Sequence, residues 1–166
     1  MTEPVTAERI RIAKDFGLFN VDEIAVTCRE VGIPFFAACA LFEKESMGRN
    51  IYGHDFGGAL SGFPDIVNQS NFRVFWWLVN AKGQTSNGVG PSQITSKGLF
   101  IDMRNRKLNA WDVHDNMFFG LELLWGFFQD TKSWIEAGTK YHGTGDNYGV
   151  DLKMKVDDWK FRLGIQ

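Results

Sequence analysis

From Ile33 to Phe42 the chain runs Ile-Pro-Phe-Phe-Ala-Ala-Cys-Ala-Leu-Phe without a polar side chain, and then turns polar at once with Glu43-Lys44-Glu45-Ser46-Met47-Gly48-Arg49-Asn50. A helix apolar all the way round has no face to offer water, so it must form the buried centre of a domain. Pro34 suits its first turn, where a fixed φ and a missing N–H cost nothing. The polar end is the constraint on function. At about 100° per residue, Glu43 and Glu45 project roughly 200° apart, so only one of them can face a given cleft. An inward carboxyl among Phe35, Ala38, Leu41 and Phe42 would be desolvated, which raises its pKa, and a carboxyl still protonated near neutral pH is a general acid. The competing description makes both glutamates the solvated last turn of a core helix; periodicity alone leaves both open.

Other helices follow from spacing and caps. Ile10, Ala13 and Phe16 predict one from about Thr6 to Phe16, stopped by Gly17. Asn20-Val21-Asp22-Glu23 reads as a capping box opening a second, with a stripe of Val21, Ile24, Cys28 and Val31 that Gly32 ends. Phe72, Phe75, Trp76 and Val79 predict a helix from about Ser70 to Ala81. Leu99 to Met103 is a short apolar piece of open type. Met117, Leu121, Leu124, Trp125 and Phe128 place a nearly all-apolar helix over about Asp115 to Gln129, expected to pack on the central one. Ser133-Trp134-Ile135-Glu136 reads as another capping box, and Leu152, Val156, Trp159 and Leu163 predict a covering surface helix from about Val150. The expected class is mostly α, α+β at most: helices around a buried central helix, with a small hairpin or long loop after it, in one domain over 1–166.

Three glycine-bearing polar islands interrupt this pattern, after Glu45, at Gly88 to Thr95 and at Tyr141 to Tyr148. The formal net charge of −2 argues against a general nucleic-acid binder, which would carry a basic surface. Cys28 and Cys39 stand near no second ligand at zinc-site spacing and read as reduced core residues; no metal and no cofactor is expected. The start of the chain lacks the basic and apolar segments of a signal peptide, and no apolar run approaches 18 residues. The expectation is a product made in the cytoplasm without membrane insertion. The sequon Asn68-Gln69-Ser70 reads as chance.

Taken in order, the islands resemble the lysozyme-like fold of goose-type lysozymes and soluble lytic transglycosylases over roughly residues 20 to 150. In that family a catalytic glutamate ends a buried helix and is followed by serine, and Glu45-Ser46 matches. A Gly-x-Gly-x-x-Gln-Ile type motif lines the cleft, and Gly88-Val89-Gly90-Pro91-Ser92-Gln93-Ile94 matches. Ala137-Gly138-Thr139-Lys140-Tyr141-His142-Gly143-Thr144-Gly145 is similar to a third motif, with His142 in place of the usual asparagine and, in the second, Pro91-Ser92 in place of an apolar pair. The island Arg49-Asn50-Ile51-Tyr52-Gly53-His54-Asp55 also resembles catalytic domains of endolysins from phages of actinobacteria, which reach the wall through membrane holes made by a separate protein.

The resemblance implies peptidoglycan as partner and substrate, cut at the β-1,4 bond between N-acetylmuramic acid and N-acetylglucosamine, by a monomer or a module of a larger lysin. Glu45 would be the general acid. An inverting hydrolase needs a second carboxylate about 6.5–9.5 Å away, whereas a lytic transglycosylase needs none because the muramoyl 6-hydroxyl closes a 1,6-anhydro ring. Asp55 is the first choice for that acid, with Asp65 and Asp102 in reserve. Ser46 and Gln93 would hydrogen-bond the sugar or orient Glu45, Tyr141 would position the glutamate or stack near the cleft, Ile94 and His142 would contact the sugar, and Tyr52 and Trp111 could stack on it. Two rivals stand beside this: a metal-dependent wall peptidase using His54, Asp55, His114 and His142, whose spacing fits no two-histidine helical motif, and a catalytically silent glycan-binding module that has no need of Glu45.

Overall fold

The computed structural model describes residues 4–53, 57–60, 66–143 and 147–165. Among them lie eight helices: α1 (Ala7–Phe16), α2 (Val21–Val31), α3 (Phe35–Glu45), α4 (Gln69–Asn80), α5 (Lys97–Asn105), α6 (Val113–Thr131), α7 (Trp134–His142) and α8 (Tyr148–Arg162). The mostly helical class expected from the sequence is the class observed, and no sheet forms among the described residues. Isolated bridges alone tie Ile51 to Ile66, Tyr52 to Val89, Gly58 to Thr85 and Val89 to Ile94.

α3 is the buried centre that its composition demands: from Phe35 to Phe42 no residue is more than 8% exposed. It packs on α2 and α8. α6 shares the same apolar cluster through Met117, Leu121 and Leu124, but its close backbone neighbours are α2 and α7 and not the central helix it was expected to pack on. A second cluster gathers Phe72, Phe75 and Val79 of α4 with Phe100 and Met103 of α5, and Phe119 gives α6 a place in it as well. The apolar piece at Leu99 to Met103 is thus a helix, its short stripe buried at Phe100 and Met103. Cys28 and Cys39 are both free and buried, and burial pushes the Cys28 thiol up to about 11.

Two caps differ from expectation. Asn20 makes no capping bond to α2; it sits in the left-handed region at φ 53, and its amide donates instead to the Gly48 carbonyl at 2.9 Å. That contact fixes the reversal after α3, where Phe19 N–H donates to the Met47 carbonyl at 2.9 Å. Gly48 is required there: at φ 75, a Cβ would lie 2.4 Å from the Phe19 carbonyl oxygen. Asn68 of the sequon is a working N-cap, in a reciprocal capping box with Asn71 at the start of α4.

At the start of α6, His114 Nε2 meets Glu30 of α2 at 2.8 Å and Glu23 at 4.0 Å, and its Nδ1 lies 3.6 Å from Asp115. Partial burial pushes the imidazole pKa down, but the Glu30 hydrogen bond and the surrounding carboxylates outweigh it, and the net direction is up from 6.5. A base whose folded-state pKa is raised contributes stability that is full below its unfolded value and is lost as pH rises through the folded one. Thermal melting of wild type and His114→Gln across pH 5 to 9 should therefore show a wild-type advantage at the acid end that shrinks as pH rises past 6.5. A difference that is independent of pH would refute the ion pair.

Candidate functional site

The end of α3 is held by α8 through an antiparallel series of contacts. Glu43 pairs with Lys155 and accepts from Trp159 Nε1 at 2.8 Å, Lys44 pairs with Asp151 at 3.4 Å, and Glu45 accepts a hydrogen bond from the Tyr148 hydroxyl. Tyr148, Asp151, Lys155 and Trp159 recur at spacings of three and four and so form one stripe of α8. The rotation between Glu43 and Glu45 sends them to opposite ends of that stripe. Glu43 is spent on Lys155 and Trp159, and Glu45 lines a cleft.

That cleft has a volume of about 380 Å³. Around Glu45 its walls are Gln93 and Ile94 of the second island with Tyr141 and His142 at the end of α7. Thr95, Ser96, Leu99 and Leu123 extend it. Among the described residues Glu45 is the only carboxylate in the lining. The Tyr141 hydroxyl donates to the Ser92 carbonyl at 2.8 Å, and its phenol is pushed well above its ordinary value by burial first and then by the charge of Glu45, so it remains a donor. His142 stacks on Tyr148 at 4.5 Å between ring centroids, and the Lys44 ammonium lies over the same Tyr148 ring at 4.3 Å. The ring that donates to Glu45 is thereby braced.

The second island is shaped by buried polar struts. Val89 N–H and the Ile94 carbonyl pair at 3.0 Å, and Gly90 N–H donates to Ile51 at 3.0 Å. Gln93, in the left-handed region at φ 49, turns its amide nitrogen back onto the Ile51 and Gly90 carbonyls at 3.1 and 2.8 Å. Asn116, fully buried on α6, accepts from Ser92 N–H at 2.9 Å and donates to the Val89 and Ala110 carbonyls at 3.0 and 3.1 Å. Asn87 performs the same service for the first island, bonding Leu60 N–H at 2.8 Å and the Gly53 carbonyl at 3.0 Å.

The structure thus brings Glu45, Gln93, Ile94, Tyr141 and His142 to one cleft. Four residues named from the sequence do not line this cleft. Tyr52 has no access to a sugar: it is fully buried in the second cluster, its ring 5.2 Å from Phe75 and its hydroxyl bonded to Asn71 at 3.0 Å. Ser46 does not line the cleft, because its hydroxyl donates to the Pro91 carbonyl at 2.8 Å and pins the helix end to the second island. Trp111 lines a different cleft, with Phe72 and Phe100. Asp102 is also elsewhere, beside Arg106 on α5. Asp55, Asp65 and His54 lie outside the described residues. The sequence reading does not single out Tyr148, Asn116 or Gly120, although an asparagine or a glycine inside an apolar helix can mark a close approach; of the two glycines of α6, Gly120 is crowded and Gly126 is not.

Asp112, His114 and Asp115 place ligand-type atoms within 4.8 Å of one another, which bears on the peptidase rival. Each already has a task. Asp112 caps α6 by accepting from Asp115 N–H at 3.0 Å, Asp115 accepts from Asn109 at 2.7 and 3.1 Å, and His114 holds Glu30. The cleft draws none of the three into its lining. The chain matches no protein-family model, no curated protein and no solved structure.

Gly120 is the point where α6 presses on the second island: a Cβ there would lie 2.2 Å from Ser92 Oγ and 3.1 Å from the Tyr141 hydroxyl. Gly120→Ala should cost about 1–3 kcal/mol in urea unfolding, because a loop held by backbone carbonyls cannot yield cheaply. Wild-type stability in that variant would show that the loop is not clamped as described.

Proposed function

We propose that this chain cleaves the glycan strands of peptidoglycan, with Glu45 as the general acid. The observation that carries the reading is the position of that carboxyl: last residue of a fully buried apolar helix, held by a tyrosine hydroxyl, and the only described acid in a cleft walled by the glutamine-bearing and tyrosine-bearing islands. A proton donor at the edge of a low-dielectric core suits protonation of a glycosidic oxygen as the bond breaks. The resemblance of the islands to goose-type lysozymes and soluble lytic transglycosylases supports the same assignment.

In this reading Tyr148 orients Glu45, with His142 and Lys44 steadying the tyrosine ring. Gln93 acts chiefly as a scaffold, since its amide nitrogen is committed to backbone carbonyls, and Thr95, Ser96 and His142 offer hydrogen bonds to sugar substituents. At the anomeric carbon two courses follow. Closure of the muramoyl 6-hydroxyl uses Glu45 alone, as acid and then as base; hydrolysis with inversion needs a second carboxylate, for which Asp55 is the candidate. Access to the wall would come through membrane holes made by another protein, as for a phage endolysin.

Mass spectrometry of muropeptides released from purified wall tests this directly. Glycan fragments lighter by one water identify ring closure, and fragments with a reducing muramic acid identify hydrolysis. Glu45→Gln should lower the release by about 10²–10⁴-fold, the usual worth of a positioned acid. Glu43→Gln should keep the activity while losing about 1–3 kcal/mol of stability through its charged contacts with Lys155 and Trp159. Release of peptide fragments with intact glycan would instead establish a peptidase, and unchanged release by Glu45→Gln would remove the mechanism.

A further inference from the structure

α5 serves two clefts. Leu99 lines the one that holds Glu45, while Phe100 and Arg104 line a second, of about 480 Å³, that also takes in α4 and the segment from Lys107 to Trp111. Such a volume is that of a small-molecule site. Its walls are aromatic and braced. Trp76 packs edge-on to Phe100 at 6.0 Å, Trp111 lies against Phe72 at 5.4 Å and 46°, and Phe72 and Phe100 meet at 5.8 Å and 69°. Both tryptophans are half-buried, so part of each ring remains open to the cleft.

Around these walls stand Arg73, Arg104 and Lys107. Among the described residues their side chains form no hydrogen bond, ion pair or cation–π contact. Arg106 next door shows the contrast, being paired with Glu122 at 2.6 Å and Asp102 at 4.0 Å. Three cations lining one cleft, none of them ion-paired among the described residues, favour an anion there even on a chain of net charge −2. Lys107 adopts φ 62 just after α5, a conformation natural to glycine. Asn109 completes the rim; its amide nitrogen donates to Asp115 at 3.1 Å, and its carbonyl oxygen remains as an acceptor.

We propose that this second cleft binds a phosphate-bearing sugar, with Arg73, Arg104 and Lys107 on the phosphate and Trp76 and Trp111 against the pyranose ring. Neighbouring wall rings stand at 46° to 75° to one another and so form a concave apolar lining, a shape that suits the C–H face of a chair. The site is independent of Glu45 and of the glycan-cleavage reading.

Two-dimensional NMR of the indole N–H signals tests it, with glucose 6-phosphate as probe and glucose, inorganic phosphate and adenosine monophosphate as comparators. Glucose 6-phosphate should shift the Trp76 and Trp111 signals saturably, in wild type and in Glu45→Gln alike, and should bind more weakly as salt is raised. Arg104→Gln and Lys107→Gly should each weaken that binding by about tenfold or more, the loss expected for one charge-assisted hydrogen bond. Lys107→Gly should melt at or above the wild-type temperature, since glycine relieves the left-handed backbone, which separates loss of a ligand contact from loss of fold. No shift with glucose 6-phosphate overturns the proposal. Equal affinity for inorganic phosphate would reduce the site to an anion site, and tighter binding of adenosine monophosphate would make it a site for a planar base; either result overturns the sugar assignment.

Discussion

The rest of the molecule depends on how one buried helix is allowed to end. An apolar rod can sit at the centre of a domain only if its terminal carbonyls and the polar residues that follow are satisfied without water. Here α8 supplies the partners. Its stripe of Tyr148, Asp151, Lys155 and Trp159 meets Glu45, Lys44 and Glu43 in reverse order, opposite charges facing one another. The same contact orders the cleft, because the residue that holds Glu45 is the first of α8 and its ring is packed beneath His142, the last of α7. The local reversal after Ser46, with Met47 and Gly48 both at positive φ, then carries the chain away from the helix end without filling the space beside the carboxyl.

The glycine-rich islands are ordered by a few buried amides and not by a sheet. With only isolated bridges among the described residues, the loop carbonyls and N–H groups need other partners, and Asn116, Asn87 and Gln93 supply them. An unsatisfied group at such a site would cost about 1–3 kcal/mol, so each asparagine specifies one loop conformation as well as stabilising it. Ser46 and Tyr141 close the arrangement from two sides by donating to Pro91 and Ser92, consecutive carbonyls of the same turn. Both hydroxyls are thereby committed to the wall of the cleft.

The two clefts divide the chemistry of the surface. One is lined by both polar and apolar groups and contains a single described acid; the other is aromatic with cations at its edge. α5 is shared because consecutive residues of a helix point about 100° apart, so Leu99 and Phe100 reach different spaces. A short helix with one buried stripe can thus shape two sites while adding little to the core beyond Phe100 and Met103.

Much of this was legible in the chain. The burial of Ile33 to Phe42, the helical class and the divergence of Glu43 and Glu45 follow from periodicity and composition, which depend only on residue order. Tertiary structure decided everything that rests on partners distant in sequence. Which acid would be neutralised turned on Lys155 and Trp159, more than a hundred positions away. Tyr52 became core and Ser46 a strut because each hydroxyl found a nearer protein acceptor, and Asn20 gave up its cap for the Gly48 carbonyl. Local pattern fixes which side chains must leave water, since that is a property of each residue; which polar atoms meet is set by the close packing of helices, and no spacing along the chain encodes it.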